Sequence, residues 1–417
     1  MLDEPTLFVG VDWASTEHQV CILGPSGPIQ KSFAHDGLGL GAMVDWLLEH
    51  APNPTDIAVA IEMPHGPVVE ALMDRGILAF SVNPKQLDRF RDRFSPAGAK
   101  DDRRDALVLA SSLKTDRHCF RHLESMDPTI VELREWSRIN DELKEERVKL
   151  TNRIRQQLWR YYPQALDLTE DVGMEWFLDL FLLAPTPIHA QALKQKKIAR
   201  ILSAHRIRRI SAFEVLEILK RPALTVAPGT TEAASAHITA ISERVKLVNH
   251  QLKEATRRLD ILVAKLAEQE AEPGQLNEQP DAAILRSLPG VGRIVVATLL
   301  AEAHYAIRAR DYHALRTLTG IAPVTKRSGK SCRVEMRKAC SRRLRTAIYH
   351  WARVATQHDL PSRAKYSALR SRGHSHGRAL RGVADRLLAV ACAMLETKTT
   401  YDPAKRNSIG SPQLAAC

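Results

Sequence analysis

The chain has 417 residues, too many for one ordinary domain, and its 44% hydrophobic content is enough for real cores. No stretch carries the pattern of a secretory signal or a membrane span, and the six cysteines (Cys21, Cys119, Cys332, Cys340, Cys392, Cys417) form no CxxC pair, which argues against a zinc site or disulfide framework and for a soluble cytoplasmic chain with reduced thiols and no membrane partner. The net charge is +12, but residues 281–417 hold 25 Lys and Arg against 8 Asp and Glu while the remainder holds 35 against 40, so the positive charge belongs to the C-terminal third and points to a polyanion, nucleic acid first.

In chain order, TLFVGVDWAS (6–15), HQVCILGP (18–25) and PIQKSFAH (28–35) alternate as three consecutive strands joined by tight turns. A helix follows around Leu40–Glu49, then DIAVAIEMP (56–64) as a buried strand, PVVEALMDRG (67–76) as a helix with a glycine stop, ILAFSVNP (77–84) as a strand and KQLDRFRDRF as helix. Three antiparallel strands followed by helix–strand–helix–strand–helix is the order of an RNase H-like α/β domain, expected over 1–125.

Residues 126–272 read as a helical region. A long polar helix spans 130–162, with Trp136, Ile139, Leu143, Leu150, Ile154, Leu158 and Tyr161 at helical spacing and Pro163 as its stop. Further on, Ile238, Ile241, Val245, Val248, Leu252, Ala255, Leu259, Leu262 and Leu266 step 3,4,3,4 through a heptad seam. That seam calls for a coiled-coil partner, either inside the chain as an antiparallel hairpin or between chains as an oligomerisation arm. PGQLNEQP (273–280) is a linker, 281–402 a mainly α basic domain, and 403–417 a tail expected to be disordered.

Asp12 and Glu62 each interrupt or end an otherwise apolar strand, where a charge is costly unless paired or metal-bound. In an RNase H-like sheet those strands are neighbours. AKDDRRDALVLA (99–110) then opens a helix with acids in its first turn. Asp102 and Asp105 share a face at i,i+3, as do Asp101 and Asp105 at i,i+4. Helix capping, strand-end capping or pairing of Glu62 with Arg103 would explain each acid alone. Together, four converging carboxylates suit hard divalent cations, Mg²⁺ or Mn²⁺, which prefer oxygen ligands and support in-line phosphodiester displacement.

LPGVG (288–292) before an apolar helix has the form of a helix–hairpin–helix turn, in which Gly290 and Gly292 let backbone N–H groups meet a phosphate, although an ordinary interhelical turn has the same form. PVTKRSGKSCRVEMRKACSRRLR (323–345) carries Lys326, Arg327, Lys330, Arg333, Arg337 and Lys338 with only Glu335 as an acid. On its own this stretch is a glycine-bearing basic loop that grips phosphate; Ser328 and Ser331, set between cations, could also act as nucleophiles.

GVDWAS (10–15), AIEMPHGPVVEAL (60–72), NPKQLDRFRDRFSPAGAKDDRRDA (83–106), LPGVG and LTGIAPVTKRSGKS (318–331) resemble the insertion-sequence transposases with a DEDD-type, RuvC-like catalytic domain, the mobile-element recombinases that a structured bridge RNA guides. The resemblance spans about residues 6–400 in consistent order. It implies that Asp12, Glu62, Asp102 and Asp105 are catalytic metal ligands, with Asp101 standing where the family has Thr, and His65 likewise before the matching Gly66. It implies a serine nucleophile in an S-G context at Ser328, Ser331 being the rival. It also implies double-stranded DNA (element ends and target), a guide RNA and a homo-oligomer, dimer or tetramer, as partners, in the cytoplasm at the nucleoid. Three other readings compete: a hydrolytic RuvC-type nuclease, an actin-like or sugar-kinase-like ATP-binding protein, and a catalytically silent nucleic-acid-binding module.

Overall fold

The computed structural model describes residues 4–24, 27–94, 101–268, 280–329 and 331–402. The chain divides into two compact units, residues 1–126 and 127–417. Among the described residues no helix is long and apolar enough to cross a membrane. Lys330, the tail 403–417 and all but the last residue of the 273–280 linker lie outside the described residues.

The first unit is a six-stranded mixed sheet. β1 (Leu7–Asp12), β2 (Glu17–Gly24) and β3 (Gly27–Ala34) form an antiparallel meander. After α1 (Gly37–His50), β4 (Ile57–Ile61) runs parallel to β1; after α2 (Pro67–Asp74), β5 (Leu78–Ser81) runs parallel to β4. Helices α3 (Pro84–Phe94) and α4 (Asp102–Asp116) precede the short antiparallel edge strand β6 (Arg121–His122), giving the order β3-β2-β1-β4-β5-β6. This is the meander followed by parallel strands that the apolar runs call for.

Side-chain alternation assigns the two sheet faces. Leu7, Val9 and Val11 of β1 and Ile57, Val59 and Ile61 of β4 pack with α1 and α2. Phe8 of β1 and Ala58 and Ala60 of β4 face the other core, with Leu87 of α3 and Val108, Leu109 and Leu113 of α4. The second face is lined by small residues near the centre, which lets a helix backbone come close. Position 10 shows how close: a Cβ on Gly10 would lie 2.0 Å from the Ala106 carbonyl oxygen and 2.6 Å from the Ala110 nitrogen. Glycine here sets the seating of α4 on β1.

Among its described residues the second unit is helical apart from one hairpin. α5 (Pro128–Tyr161) leads into α6 (Glu175–Leu183), α7 (Pro187–Gln191), α8 (Gln195–Ala204) and α9 (Ala212–Leu219), and α10 (Thr230–Ala267) returns along α5. Arg258 pairs with Glu132, Thr256 with Asn140, Asn249 with Arg147 and Arg244 with Glu146, so the two long helices are antiparallel. The heptad seam of α10 is therefore buried inside its own chain. On the first half of α5 the buried residues are Thr129, Ile130, Leu133, Ser137 and Asn140, whereas Trp136 and Ile139, which keep the helical spacing, are half-buried and exposed respectively. The seam there is polar: Asn140, fully buried, donates to Thr256, the kind of contact that sets helix register.

The rest of this unit is α11 (Asp281–Ser287), α12 (Arg293–Glu302), α13 (His304–Arg308), α14 (Tyr312–Leu318), the hairpin β7 (Val324–Ser328) and β8 (Ser331–Glu335), α15 (Arg342–His358), α16 (Leu360–Ser371) and α17 (His376–Thr397). Arg343 of α15 ties it to α5 through the Ser137 carbonyl at 2.7 Å and Asp141 at 3.0 Å. A second α/β half, which an actin-like ATP-binding protein requires, does not occur among the described residues.

Candidate functional site

Asp12 is the last residue of β1 and Glu62 the first past β4. The parallel register pairs Val11 with Ile61, so the two acids are the next residues on adjacent strands. Asp12 follows Phe8 and Gly10 on the face covered by α4. The first turn of α4, the helix seated against Gly10 of β1, carries the other two acids. Asp101 is its N-cap and accepts from the Arg103 N–H, and its carbonyl accepts from Asp105 N–H. Capping therefore falls to Asp101 and not to Asp102, leaving Asp102, exposed, and Asp105, 1% exposed, on one helix face.

A buried carboxylate requires a counter-charge, and Arg91 of α3 supplies it. Its Nε and Nη2 donate to the two Asp105 oxygens at 2.6 and 2.8 Å, and its Nη1 to Asp88. This bidentate fork is the strong form of a charged hydrogen bond. The Asp105 hydrogen bonds, with the charges of Asp105, Asp88 and Glu62 beside it, hold the Arg91 guanidinium above its ordinary basicity. The cation that Glu62 acts on is Arg91, and no ion pair of Glu62 with Arg103 occurs among the described residues. Arg91 was invisible as a site residue because it sits in DRFRDRF among similar arginines; only its distance to Asp105 separates it from Arg89 and Arg93.

A divalent ion can be tested against this arrangement. The donors are carboxylates of the hard-oxygen type, three of them near one sheet face, and the one buried acid is satisfied by a cation. Among the described residues, however, no three Asp, Glu, His or Cys side chains already enclose an ion-sized space. The donor chemistry suits such an ion, and Arg91 supplies the charge at Asp105.

His18, also unnoticed in the sequence, shapes the turn after Asp12. It is fully buried; its Nδ1 accepts from Ala14 N–H at 3.2 Å, so its Nε2 carries the hydrogen and meets His35 Nδ1 at 2.8 Å. Burial, with the His35 charge second, lowers the His18 pKa.

In the second unit, Gly290 (φ +74°) is first a packing residue: a Cβ would meet the Ala355 nitrogen at 2.7 Å, and the neighbouring Pro289 carbonyl accepts from Trp351 Nε1. Gly292 caps α12 without a side-chain hydrogen bond and has open space around it.

The basic segment is an exposed two-stranded ribbon. Lys326 stands opposite Arg333, Arg327 opposite Cys332, and Ser328 opposite Ser331. Alternation therefore places Lys326, Ser328, Ser331, Arg333 and Glu335 on one face, and Thr325, Arg327, Cys332 and Val334 on the other. Gly329 at φ +55° makes the turn. Glu335 pairs with Lys326 at 2.9 Å and with Arg333 at 3.8 Å. Below the ribbon, Arg337 Nε donates to the Ala322 carbonyl and the Lys338 carbonyl accepts from Arg345. The acids belong to one unit and the serines to the other.

Comparison with known proteins gives a consistent picture. Residues 9–163 match the family model described as a DEDD transposase of the IS110 type, and residues 282–368 that of the IS116/IS110/IS902 transposase family. The chain is 51% identical over 216 residues to a candidate transposase, y4uE, of Sinorhizobium fredii, a match covering 51% of this chain and 60% of that one. It is 31% identical over 413 residues, 96% of both chains, to the candidate transposase of the IS117 mini-circle of Streptomyces coelicolor. An uncharacterised 43.6 kDa protein of the insertion element IS110, from the same species, is 25% identical over 95% of each chain.

Proposed function

The chain belongs to the IS110/IS116/IS902 family of insertion-sequence transposases, and from that premise we propose that it breaks and rejoins DNA strands with a serine nucleophile assisted by the acidic cluster. The observation that carries this reading is the ribbon register. It gathers Ser328, Ser331, Lys326 and Arg333 on one exposed face, where a nucleophile has cations beside the phosphate it attacks.

In this mechanism Ser328 Oγ attacks a DNA phosphorus and loses its proton, one P–O ester bond breaks, and the departing DNA oxygen takes up a proton. The phosphoserine ester conserves the diester, and a hydroxyl of a second strand then displaces the serine. Lys326 and Arg333 balance the charge that grows on the phosphoryl oxygens; Glu335 holds their side chains between turnovers. Asp12, Glu62 and Asp102 would hold the divalent ion, Mg²⁺ or Mn²⁺, with Asp105 joining them once Arg91 releases a carboxylate oxygen, and the ion's chemistry would be Lewis-acid stabilisation of phosphoryl and leaving oxygens.

A structured guide RNA, assembly as a dimer or tetramer, and a cytoplasmic, nucleoid-associated setting complete the proposal. The cationic C-terminal third supports an RNA partner as well as DNA. Because the α10 seam is buried within one chain, assembly would use other surfaces.

The test is covalent trapping. Protein, Mg²⁺, labelled element-end DNA and RNA transcribed from the flanking sequence are mixed, denatured and scored for adducts. Wild type should give an adduct that disappears in Ser328→Ala and persists in Ser331→Ala. Cleavage without an adduct that survives Ser328→Ala and fails in Glu62→Gln would instead establish a hydrolytic nuclease.

A further inference from the structure

Arg381 and Arg345 both lie at the foot of the ribbon, one against Met336 and the other against the carbonyls of Arg337 and Lys338. Arg381, partly buried on α17, has as its partner the Met336 thioether, at 3.3 Å from Nη1, a poor acceptor for a cation. Arg345 of α15 donates from Nη2 to the Arg337 carbonyl at 2.7 Å and the Lys338 carbonyl at 3.1 Å, while its buried Nε has no partner. Arg378 lies one helical turn before Arg381 and is exposed.

Like charges dominate here. Burial first, then the charges of Arg378 and Arg345, push the Arg381 pKa down. The first turn of α17 contains no acid and its N-cap, Ser375, makes no side-chain cap, so the helix end adds positive potential to the same region. Gly320 (φ +73°) lets Arg345 pack against its backbone: a Cβ there would come 2.8 Å from Cys340 Sγ, 3.1 Å from Arg345 Nε and 3.3 Å from its Nη2. Partly buried cations without counter-ions are costly to a folded chain. An arrangement of this kind makes sense when an anion completes it, and arginine forks match the oxygens of a phosphate.

We propose that Arg345, Arg378 and Arg381 form a pocket for one phosphate of the DNA backbone. The pocket begins at Met336, directly after β8, and Ser331 lies at the other end of that strand. Five residues of strand span ~16 Å, about five nucleotides along one strand of a duplex. A duplex laid along β8 would then meet the pocket about half a turn from the bond the ribbon serine would attack. The inference rests on DNA as the substrate and not on the serine chemistry.

The experiment uses the full chain, a fluorescent 30-base-pair duplex of random sequence, and inorganic phosphate. Wild type should be stabilised by phosphate relative to chloride at equal ionic strength, and Arg381→Gln should not. The variant should keep or raise its own melting temperature, since it removes crowded charge. It should bind the duplex about tenfold more weakly, with the slope of log K against log salt reduced by about one. Arg381→Lys should retain that slope while losing part of the affinity. A lower melting temperature with unchanged salt slope would make Arg381 structural and overturn the proposal. Phosphate stabilisation without any change in duplex binding, or a loss confined to RNA, would overturn the DNA assignment. Failure of serine trapping with these results intact would leave the pocket standing and remove only the serine mechanism.

Discussion

The acidic cluster and the basic ribbon are both groups of charges, and they are held in opposite ways. In the first unit Asp105 is 1% exposed and both of its oxygens are taken by Arg91. In the second, Lys326 and Arg333 stand 67% and 76% exposed around Glu335, and among the described residues Arg381 meets a thioether. Burial fixes Asp105 to one geometry and makes the loss of its partner expensive. Exposure leaves the second cluster uncompensated, so its charge is available to a polyanion. On the function proposed above, the first region would place atoms and the second would attract a strand.

The strongest attempt to break this comparison is Arg91→Ala, which strands a buried carboxylate. We expect the first unit to lose about 3–5 kcal/mol in urea denaturation. Most of it should return in the Arg91→Ala/Asp105→Asn double variant, because the uncompensated charge is gone. A loss below about 1 kcal/mol would mean that Asp105 is reached by water and that the contrast between regions is false.

Gly10→Ala comes next. Its Cβ would meet the Ala106 carbonyl at 2.0 Å, so α4 must move away from β1. Over-packing of this kind costs about 1–3 kcal/mol, and displacing Asp102 and Asp105 by about an ångström should reduce strand cleavage about 100-fold. Cleavage at wild-type rate would show that the acids need not be seated on β1.

The His18 contact sharpens the picture of the acidic side through pH. His18 is neutral in the folded unit and its pKa is lowered by burial and then by His35. The unfolded chain therefore binds the extra proton first, so the contribution is complete above about pH 6.5 and is lost as pH falls below it. The stability of the first unit should decline over that window, and His18→Gln should flatten the decline. An unchanged profile would exclude His18 as its source.

The smallest stability effects belong to the ribbon. Lys326→Ala and Arg333→Ala should shift stability by no more than about 1 kcal/mol, as exposed pairs do, yet each should lower the salt slope of DNA binding by about one. Arg327→Ala should also weaken binding but should spare adduct formation, because Arg327 lies on the face away from the serines. Equal loss of adduct in Arg327→Ala and Arg333→Ala would remove the distinction between the two faces.

Much of this architecture is written in local pattern. Strand and helix order follows from apolar alternation and from stops such as Gly76 and Pro163, since period and capping are properties of neighbouring residues. Asp12 and Glu62 stand out in sequence because a charge at the end of a buried strand is expensive. The basic C-terminal third is evident from counting.

What the sequence could not determine is which distant groups meet. The heptad of α10 demands an apolar partner but does not say whose, and the answer, α5 of the same chain, depends on chain return over about a hundred residues. DRFRDRF offers three arginines of equal local character, and only packing of α3 on α4 chooses Arg91. Ser328 sits between Arg327 and Gly329 in the chain, yet it shares a ribbon face with Lys326 of its own strand and with Ser331 and Arg333 of the other, because side chains alternate and strands pair. Arg345 and Arg381 are 36 residues apart and come together through α15 and α17. Charge pairing acts through space over a few ångströms, so these choices belong to the tertiary structure, whereas periodicity and composition belong to the sequence alone.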